Sequence, residues 1–179
     1  TEMKELVDNV EIFINPNANP DGTYNDGNHT VSGATRSNAN GKDLNRDFPD
    51  MEIGDNKPWQ PETQAMMKFA ENHNIVLSAN FHGGTEVVNY PWDVTSRNHV
   101  DDSWLKQISL IYANSAIENS PSGYFKSLTS SGITNGWDWY SITGGRQDYM
   151  TYFQQAREVT LEISDTKLVS SESLPSYWR

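Results

Sequence analysis

Strand-like and helix-like apolar segments alternate along this chain, and this alternation constrains the fold more than any other feature of the sequence. Residues 61–70 begin with proline and carry apolar side chains at helical spacing. The apolar run 75–81 follows directly and is typical of a buried strand, and residues 157–163 alternate like a second strand. Strands separated by helices predict a three-layer α/β/α fold around a mostly parallel or mixed central sheet.

The rest of the chain is interpreted by the same patterns. The predicted segments are a helix over 2–9, a strand over 10–14, irregular loop over 15–56, a strand over 87–90, a helix capped by Asp101 and Asp102, and loop over 119–139 and after 170. The capped helix is expected to carry Trp104, Ile108 and Ile111 on one apolar face. Neither an internal repeat nor a linker divides the chain.

The composition excludes several classes of function. A formal net charge of -11 disfavours binding to nucleic acid or to anionic membranes. No cysteine is present, so disulfides, thiolate metal sites and cysteine nucleophiles are excluded. The hydrophobic fraction is 35%, which is low for a self-contained core. Either long polar loops dilute a normal core, or part of the core lies outside these residues.

Two polar residues fall where a predicted strand should present them to a cleft. His82 directly follows the run 75–81 and precedes two glycines, so its ring could serve as a metal ligand or as an ordinary hydrogen-bonding group. Glu162 lies inside an apolar strand, where burial would raise the pKa of its carboxyl and suit it to proton transfer. A half-exposed strand with Glu162 pointing outward is an equally simple interpretation.

Three further residues are candidates only in combination. Arg36 and the pair Asn45-Arg46 could bind a carboxylate, because a guanidinium and an amide offer several donors, or they could be solvated loop residues. Tyr140 lies shortly before paired glycines, so it could belong to a mobile lid or simply pack.

Taken in order, these motifs resemble one family over most of the chain. The chain is similar to the zinc metallocarboxypeptidases related to carboxypeptidases A and B, and more nearly to the branch containing carboxypeptidases N, E and D. The segments that carry the resemblance are INPNANPDG (14–22), TRSNANGKDLNRDFPD (35–50), PET (61–63), LSANFHGG (77–84), NYPWD (89–93), GITNGWDWYSITGGRQD (132–148) and EVTLEIS (158–164).

The resemblance implies a role for each candidate residue in hydrolysis of a C-terminal peptide bond. The matching positions are His82 as a zinc ligand, Arg36 at the scissile carbonyl, Asn45 and Arg46 on the terminal carboxylate, Tyr140 closing over the bound residue, Glu162 as general base, and Asp43 as an acid that supports a histidine ligand. Peptide or protein C-termini are the implied substrates, and export to the periplasm or the cell exterior is implied for the protein.

The resemblance also bears on specificity. Gln147 and Asp93 stand where the N, E and D branch receives Lys or Arg side chains. A carboxylate in a partly desolvated pocket can pair with such a cation, although Asp93 could instead cap the turn after Pro91. Arg146 replaces the methionine usual before this Gln, and a cation turned into the pocket would oppose the same specificity.

One part of the family's metal site is missing from the sequence. The family binds zinc through His-x-x-Glu and a later His, and none of the four histidines is followed by Glu at the third position. His82 is therefore one of three expected protein ligands. We expect residues 1–179 to be a partial catalytic domain, incomplete at both ends and inactive alone, whose site is completed by an upstream segment of the same protein. The alternative is a non-catalytic, peptide-binding relative.

Overall fold

The computed structural model describes residues 2–54 and 57–177, and the chain divides into two compact units, Thr1–Leu44 and Asn45–Arg179. The first unit contains helix α1 (Glu2–Asn9), which confirms the predicted helix, and a short helix α2 (Pro20–Thr23). The strand predicted over 10–14 is wrong. Residues 11–14 have no regular structure, and Ile14 is 83% exposed. A strand needs a hydrogen-bonded neighbour, and all four strands of the sheet come from residues 77–164.

The second unit is built on a mixed sheet of four strands. They are β1 (Leu77–His82), β2 (Thr85–Tyr90), β3 (Ile133–Asn135) and β4 (Arg157–Ser164), in the order β1-β4-β2-β3. Strand β1 runs parallel to β4 and β2 runs parallel to β3, whereas β2 and β4 are antiparallel. The mixed sheet is the one predicted. Strand β1 is only half-buried, because it forms one edge of this sheet.

Helices cover both faces of the sheet, so the predicted α/β architecture is confirmed. Helix α4 (Asp102–Glu118) packs on one face, and its buried Leu105 and Ala113 join a core with Val88, Phe125 and Leu161. Helix α6 (Arg146–Tyr152) covers the opposite face of β4. Beside α6, a second core joins α3 (Pro61–Glu71) through Ala70 to Phe48, Tyr149, Met150 and Ala156.

The predicted apolar face of α4 is wrong in two of its three residues. Trp104 and Ile111 are exposed, 42% and 63% respectively, while Ile108 packs against the core. The buried line is Leu105, Ser109 and Ala113, which is one residue round the helix. The sequence pattern also missed β3 and the short helices α2, α5 (Gly136–Trp139) and α6, and the 3₁₀ turns Leu44–Arg46 and Leu174–Tyr177. Among the described helices, none is long and apolar enough to cross a membrane.

Candidate active site

Strands β1 and β4 separate polar from apolar side chains. Residues at alternate positions point to the same side of a strand, and paired parallel residues share a face. We define the polar face as Ser78, Asn80 and His82 of β1 together with Glu158, Thr160 and Glu162 of β4, which are register partners in that order. The Ser78 hydroxyl donates a 2.6 Å hydrogen bond to Glu158 Oε2 across it. The intervening residues, among them Val159 and Leu161, belong to the core under α4.

The last pair of the polar face brings together two residues singled out in the sequence. His82 is half-buried and Glu162 is buried, and their α-carbons are register partners. The Asn80 side-chain nitrogen lies 2.9 Å from His82 Nε2. Because an amide NH₂ group can only donate, Nε2 accepts this bond. The carboxyl ends of β1 and β4 therefore carry an imidazole and a carboxylate on the same face of the sheet.

Asp93 is the centre of a buried cluster of polar side chains, which we call the Asp93 pocket. Its Oδ1 accepts hydrogen bonds from Asn89 Nδ2 at 2.9 Å and from Gln147 Nε2 at 3.3 Å. Glycine makes room for this carboxylate, because a Cβ at Gly136 would lie 1.9 Å from Oδ1. Burial raises the pKa of Asp93 to about 6, opposed by the Asn89 bond and the charge of Arg46. The carboxylate contacts these side chains rather than capping the turn after Pro91.

The pocket has more hydrogen-bond acceptors than donors. Asn89 Oδ1 and Gln147 Oε1 are both buried and have no hydrogen-bond partner. A Cβ at Gly136 would also lie 3.0 Å from Asn89 Oδ1, so this oxygen faces the same space as the Asp93 carboxylate. Unsatisfied buried acceptors are costly, and a cationic group with several N–H donors would satisfy them. Asn89 was missed in the sequence, where it reads as part of an ordinary strand.

Asp148 holds the backbone on which Asp93 is carried. The Asp93 amide donates to Asp148 Oδ1 at 3.0 Å and Oδ2 at 3.1 Å, and the Val94 amide donates to Oδ2 at 2.9 Å. Asp148 is 1% exposed. Burial and the neighbouring Asp93 raise the pKa of Asp148 to about 8. Its first-turn position in a short helix gave no sequence signal.

The segment that carries Asn45 and Arg46 is fastened to the loop before α6. Asn45 Oδ1 accepts the backbone N–H of Arg146 at 2.9 Å, so any bond from this side chain to a substrate carboxylate must come from its NH₂ group. Arg46 Nη1 donates to the Asn45 carbonyl at 2.7 Å. Asp50 Oδ2 accepts the Gly144 N–H at 2.5 Å, and Gly144 sits against the Arg46 backbone.

Arg146 does not point its charge into the Asp93 pocket. Its Nη2 lies 3.1 Å from Oε2 of Glu158, which is fully buried. Burial raises the pKa of Glu158, while Arg146 and the Ser78 hydrogen bond lower it. Each partner still has one buried polar atom without a hydrogen bond, Arg146 Nε and Glu158 Oε1. Glu158 could have been found from the sequence, since it lies four residues before Glu162 and so on the same face of one strand.

Two predicted residues lie apart from these contacts. Tyr140 follows α5, is 48% exposed, and packs edge-on against Trp139 with ring centroids 4.6 Å apart. Arg36 belongs to the first unit, where its Nε donates to Asp43 Oδ2 at 2.7 Å. The bridge between Ser37 and Asp43 closes the turn that carries this pair.

Comparison with known proteins identifies the family that the motifs resemble. The family model described as zinc carboxypeptidase matches residues 1–179. The chain belongs to the zinc carboxypeptidase family. Among curated relatives, it is 38% identical to Carboxypeptidase D of Homo sapiens over 196 residues and 36% identical to Carboxypeptidase M of Mus musculus over 197 residues. Both alignments cover 99% of this chain, but only 14% and 43% of the relatives.

Solved structures of other proteins share the fold. Carboxypeptidase A from Helicoverpa armigera superposes with a TM-score of 0.63 at 20% identity, covering 86% of this chain and 42% of that one. Thrombin activatable fibrinolysis inhibitor gives 0.56 at 20% identity, covering 68% and 33%. At this identity the similarity concerns the fold alone.

The described residues do not by themselves make the zinc site that the family description implies. Across 2–54 and 57–177, no group of three or more His, Cys, Asp or Glu side chains could hold a metal ion. His82 offers one imidazole, whose Nε2 accepts the Asn80 amide. A protein zinc site usually has three or four protein ligands, so His82 alone does not fit.

Proposed function

We propose that the whole protein is a metallocarboxypeptidase that releases Lys or Arg from the C-termini of peptides. The observation that carries this proposal is the acceptor-rich pocket at Asp93. A buried carboxylate stands there beside two unpartnered amide oxygens, from Asn89 and Gln147. A guanidinium or ammonium group would supply both the charge and the missing donors, whereas an apolar side chain would leave the two amide oxygens unsatisfied.

Terminal-carboxylate binding is assigned to Asn45 and Arg46. The NH₂ group of Asn45 and the guanidinium of Arg46 are donors, and the hydrogen bond from the Arg146 amide fixes the orientation of the Asn45 side chain. The positive charge of Arg46 also lowers the pKa of Asp93, so the residues assigned to the terminal carboxylate lie close enough to the pocket to affect it. A substrate residue with a carboxylate at one end and a cation at the other matches these two groups. Tyr140, half-exposed after α5, would close over it.

Proton transfer is assigned to Glu162. Its carboxylate would take a proton from water as the water oxygen bonds to the scissile carbonyl carbon. When the C–N bond breaks, Glu162 would return the proton to the departing amine nitrogen. Support comes from burial, because Glu162 is only 8% exposed on the polar face of β4.

Zinc is proposed to bind at His82 together with ligands from outside the described residues. Our proposal is that other residues of the same protein supply them. Export of the protein is part of the same proposal. Metal analysis of the purified whole protein, compared with its His82→Ala variant, tests the assignment. One zinc per chain, retained in His82→Ala, would contradict it.

The substrate proposal is tested with matched peptides that differ only in a C-terminal Arg, Lys, Phe or Leu. The whole protein should cleave the Arg and Lys peptides with the highest kcat/KM. Asp93→Ala should cost roughly 2–5 kcal/mol of transition-state stabilisation against them, as for one partner of a buried charge pair. Glu118→Gln, an exposed change on α4, is the control. Faster cleavage of the Phe or Leu peptides would overturn the assignment, and no cleavage of any peptide would favour a non-catalytic relative.

A further inference from the structure

Recognition of a substrate cation depends on where the Asp93 carboxylate is held as well as on its charge. Asp93 follows β2, in a segment without regular secondary structure. A side chain on such a segment recognises a substrate cation only if its backbone is held in place, because a displacement of about 1 Å weakens a charge-assisted hydrogen bond strongly.

One side chain supplies that support. Asp148 receives the amides of Asp93 and Val94 in three contacts of 2.9 to 3.1 Å that use both of its oxygens. Asp148 lies on α6, directly after Gln147, which donates to the Asp93 carboxylate. Two adjacent residues of α6 therefore hold Asp93: Asp148 binds its backbone amide, and Gln147 binds its carboxylate.

We infer that Asp148 is the positioning residue for specificity, holding Asp93 where its carboxylate meets the cationic side chain of the substrate. This inference rests on the proposed function, since it deepens the assignment of the same pocket. Asp148 would not touch the substrate. Its effect would pass through the backbone of Asp93 and Val94.

The charges around the pair make this support depend on pH. Arg46 lowers the pKa of Asp93 and Glu158 raises it, while Asp50 adds to the rise at Asp148. Arg146 is already paired with Glu158. A protonated carboxyl presents only one full acceptor oxygen, so Asp148 holds both amides best when ionised.

A bound cation should favour ionisation of both carboxyls and release protons. The pKa of Asp93 is raised to about 6 and that of Asp148 to about 8. Both carboxyls lose charge as pH falls, so affinity for a cationic substrate should rise with pH across that interval. A neutral substrate gains nothing from the ionised pair, so its affinity should stay nearly constant.

The test uses the whole protein, the variant Asp148→Asn, the control Glu118→Gln, and peptides ending in Arg or Leu. Asp148→Asn should raise KM for the Arg peptide about 10- to 100-fold, the effect expected when charge-assisted bonds are lost, with kcat nearly unchanged. The Leu peptide should change by less than about threefold. The KM–pH profile for the Arg peptide should lose one of its two titration steps, because one of the two carboxyls is gone. Equal losses for both peptides, or an unaltered profile, would overturn the inference.

Amide hydrogen exchange supplies a readout that needs no turnover. In Asp148→Asn, exchange at Asp93 and Val94 should accelerate at least about tenfold, while amides in the core of β4 keep their protection. Unchanged exchange at both amides would overturn the inference even if catalysis were altered. Absence of turnover in the unmodified protein would instead count against the proposed function, and the exchange result would still decide the role of Asp148.

Discussion

Gly144→Ala should disturb Asn45 and Arg46, the two residues assigned to the terminal carboxylate, because Gly144 lies against the Arg46 backbone. Gly144 has φ +72, a region that L side chains rarely adopt, and a Cβ there would lie 2.5 Å from the carbonyl carbon and oxygen of Arg46. Ordinary van der Waals contact begins at 3.4 Å, so one backbone segment must move. The Gly144 amide and carbonyl bind Asp50 and the Phe48 amide, which opposes movement of the loop. Arg46 should therefore be displaced.

The magnitude follows from two contributions. A left-handed conformation costs a non-glycine residue about 1–2 kcal/mol, and overpacking adds about 1–3 kcal/mol. The free energy of unfolding, measured by denaturant titration of the whole protein, should therefore fall by roughly 2–5 kcal/mol. KM for every peptide should rise, whatever its last side chain, because the terminal carboxylate is common to all of them.

Gly54→Ala is the matched control. Gly54 has φ +62 in the same unit, and a Cβ there would meet nothing within 4 Å. This variant should show the conformational cost alone, about 1–2 kcal/mol, with KM unchanged. Equal losses of stability in the two variants, or an unchanged KM in Gly144→Ala, would refute the steric argument.

Two other predictions follow from the polar face. Glu162→Gln should lower kcat by several orders of magnitude with peptide binding retained, and substantial turnover in this variant would show that another group is the base. Arg46→Ala should instead mainly raise KM. Arg146→Met should destabilise the protein by about 3–5 kcal/mol because it strands the buried Glu158 carboxylate, and adding Glu158→Gln should restore most of that loss in denaturant titrations. A double variant no more stable than Arg146→Met would contradict this account.

The sequence predicted the elements whose periodicity is long or strict. Helix α3 and strand β4 were found because proline, apolar spacing and alternation all agreed there. The strand expected over 10–14 was not found, because its composition suits a strand but pairing depends on a neighbour that a local pattern does not contain. On α4 the apolar residues run round the helix, so packing against the sheet, rather than spacing, decides that Leu105 is buried and Ile111 exposed.

The candidate site, too, was predicted only in part from the sequence. The motifs pointed to Asp93 and Gln147 as one pocket, and the structure brings them within hydrogen-bonding distance. Asp148 and Asn89 were not singled out, since their importance lies in contacts with residues 55 and 4 positions away along the chain. Arg146 was expected to oppose a basic substrate if it turned inward. Its pairing with Glu158 depends on a contact across the α6–β4 layer, which no local pattern reveals.

Because β4 has a polar and an apolar face, the effect of a substitution in it depends on whether the position is odd- or even-numbered. Substitutions at odd-numbered positions, such as Val159 and Leu161, fall in the hydrophobic core, so they should change abundance and melting temperature and leave the catalytic constants of the surviving molecules intact. Substitutions at even-numbered positions meet the polar face instead. A saturation library scored for turnover per molecule of folded protein should therefore be sensitive at Glu158, Thr160 and Glu162 and tolerant at Val159 and Leu161. A single residue inserted into β4 would turn every following side chain to the opposite face, so both the fold and the turnover should be lost.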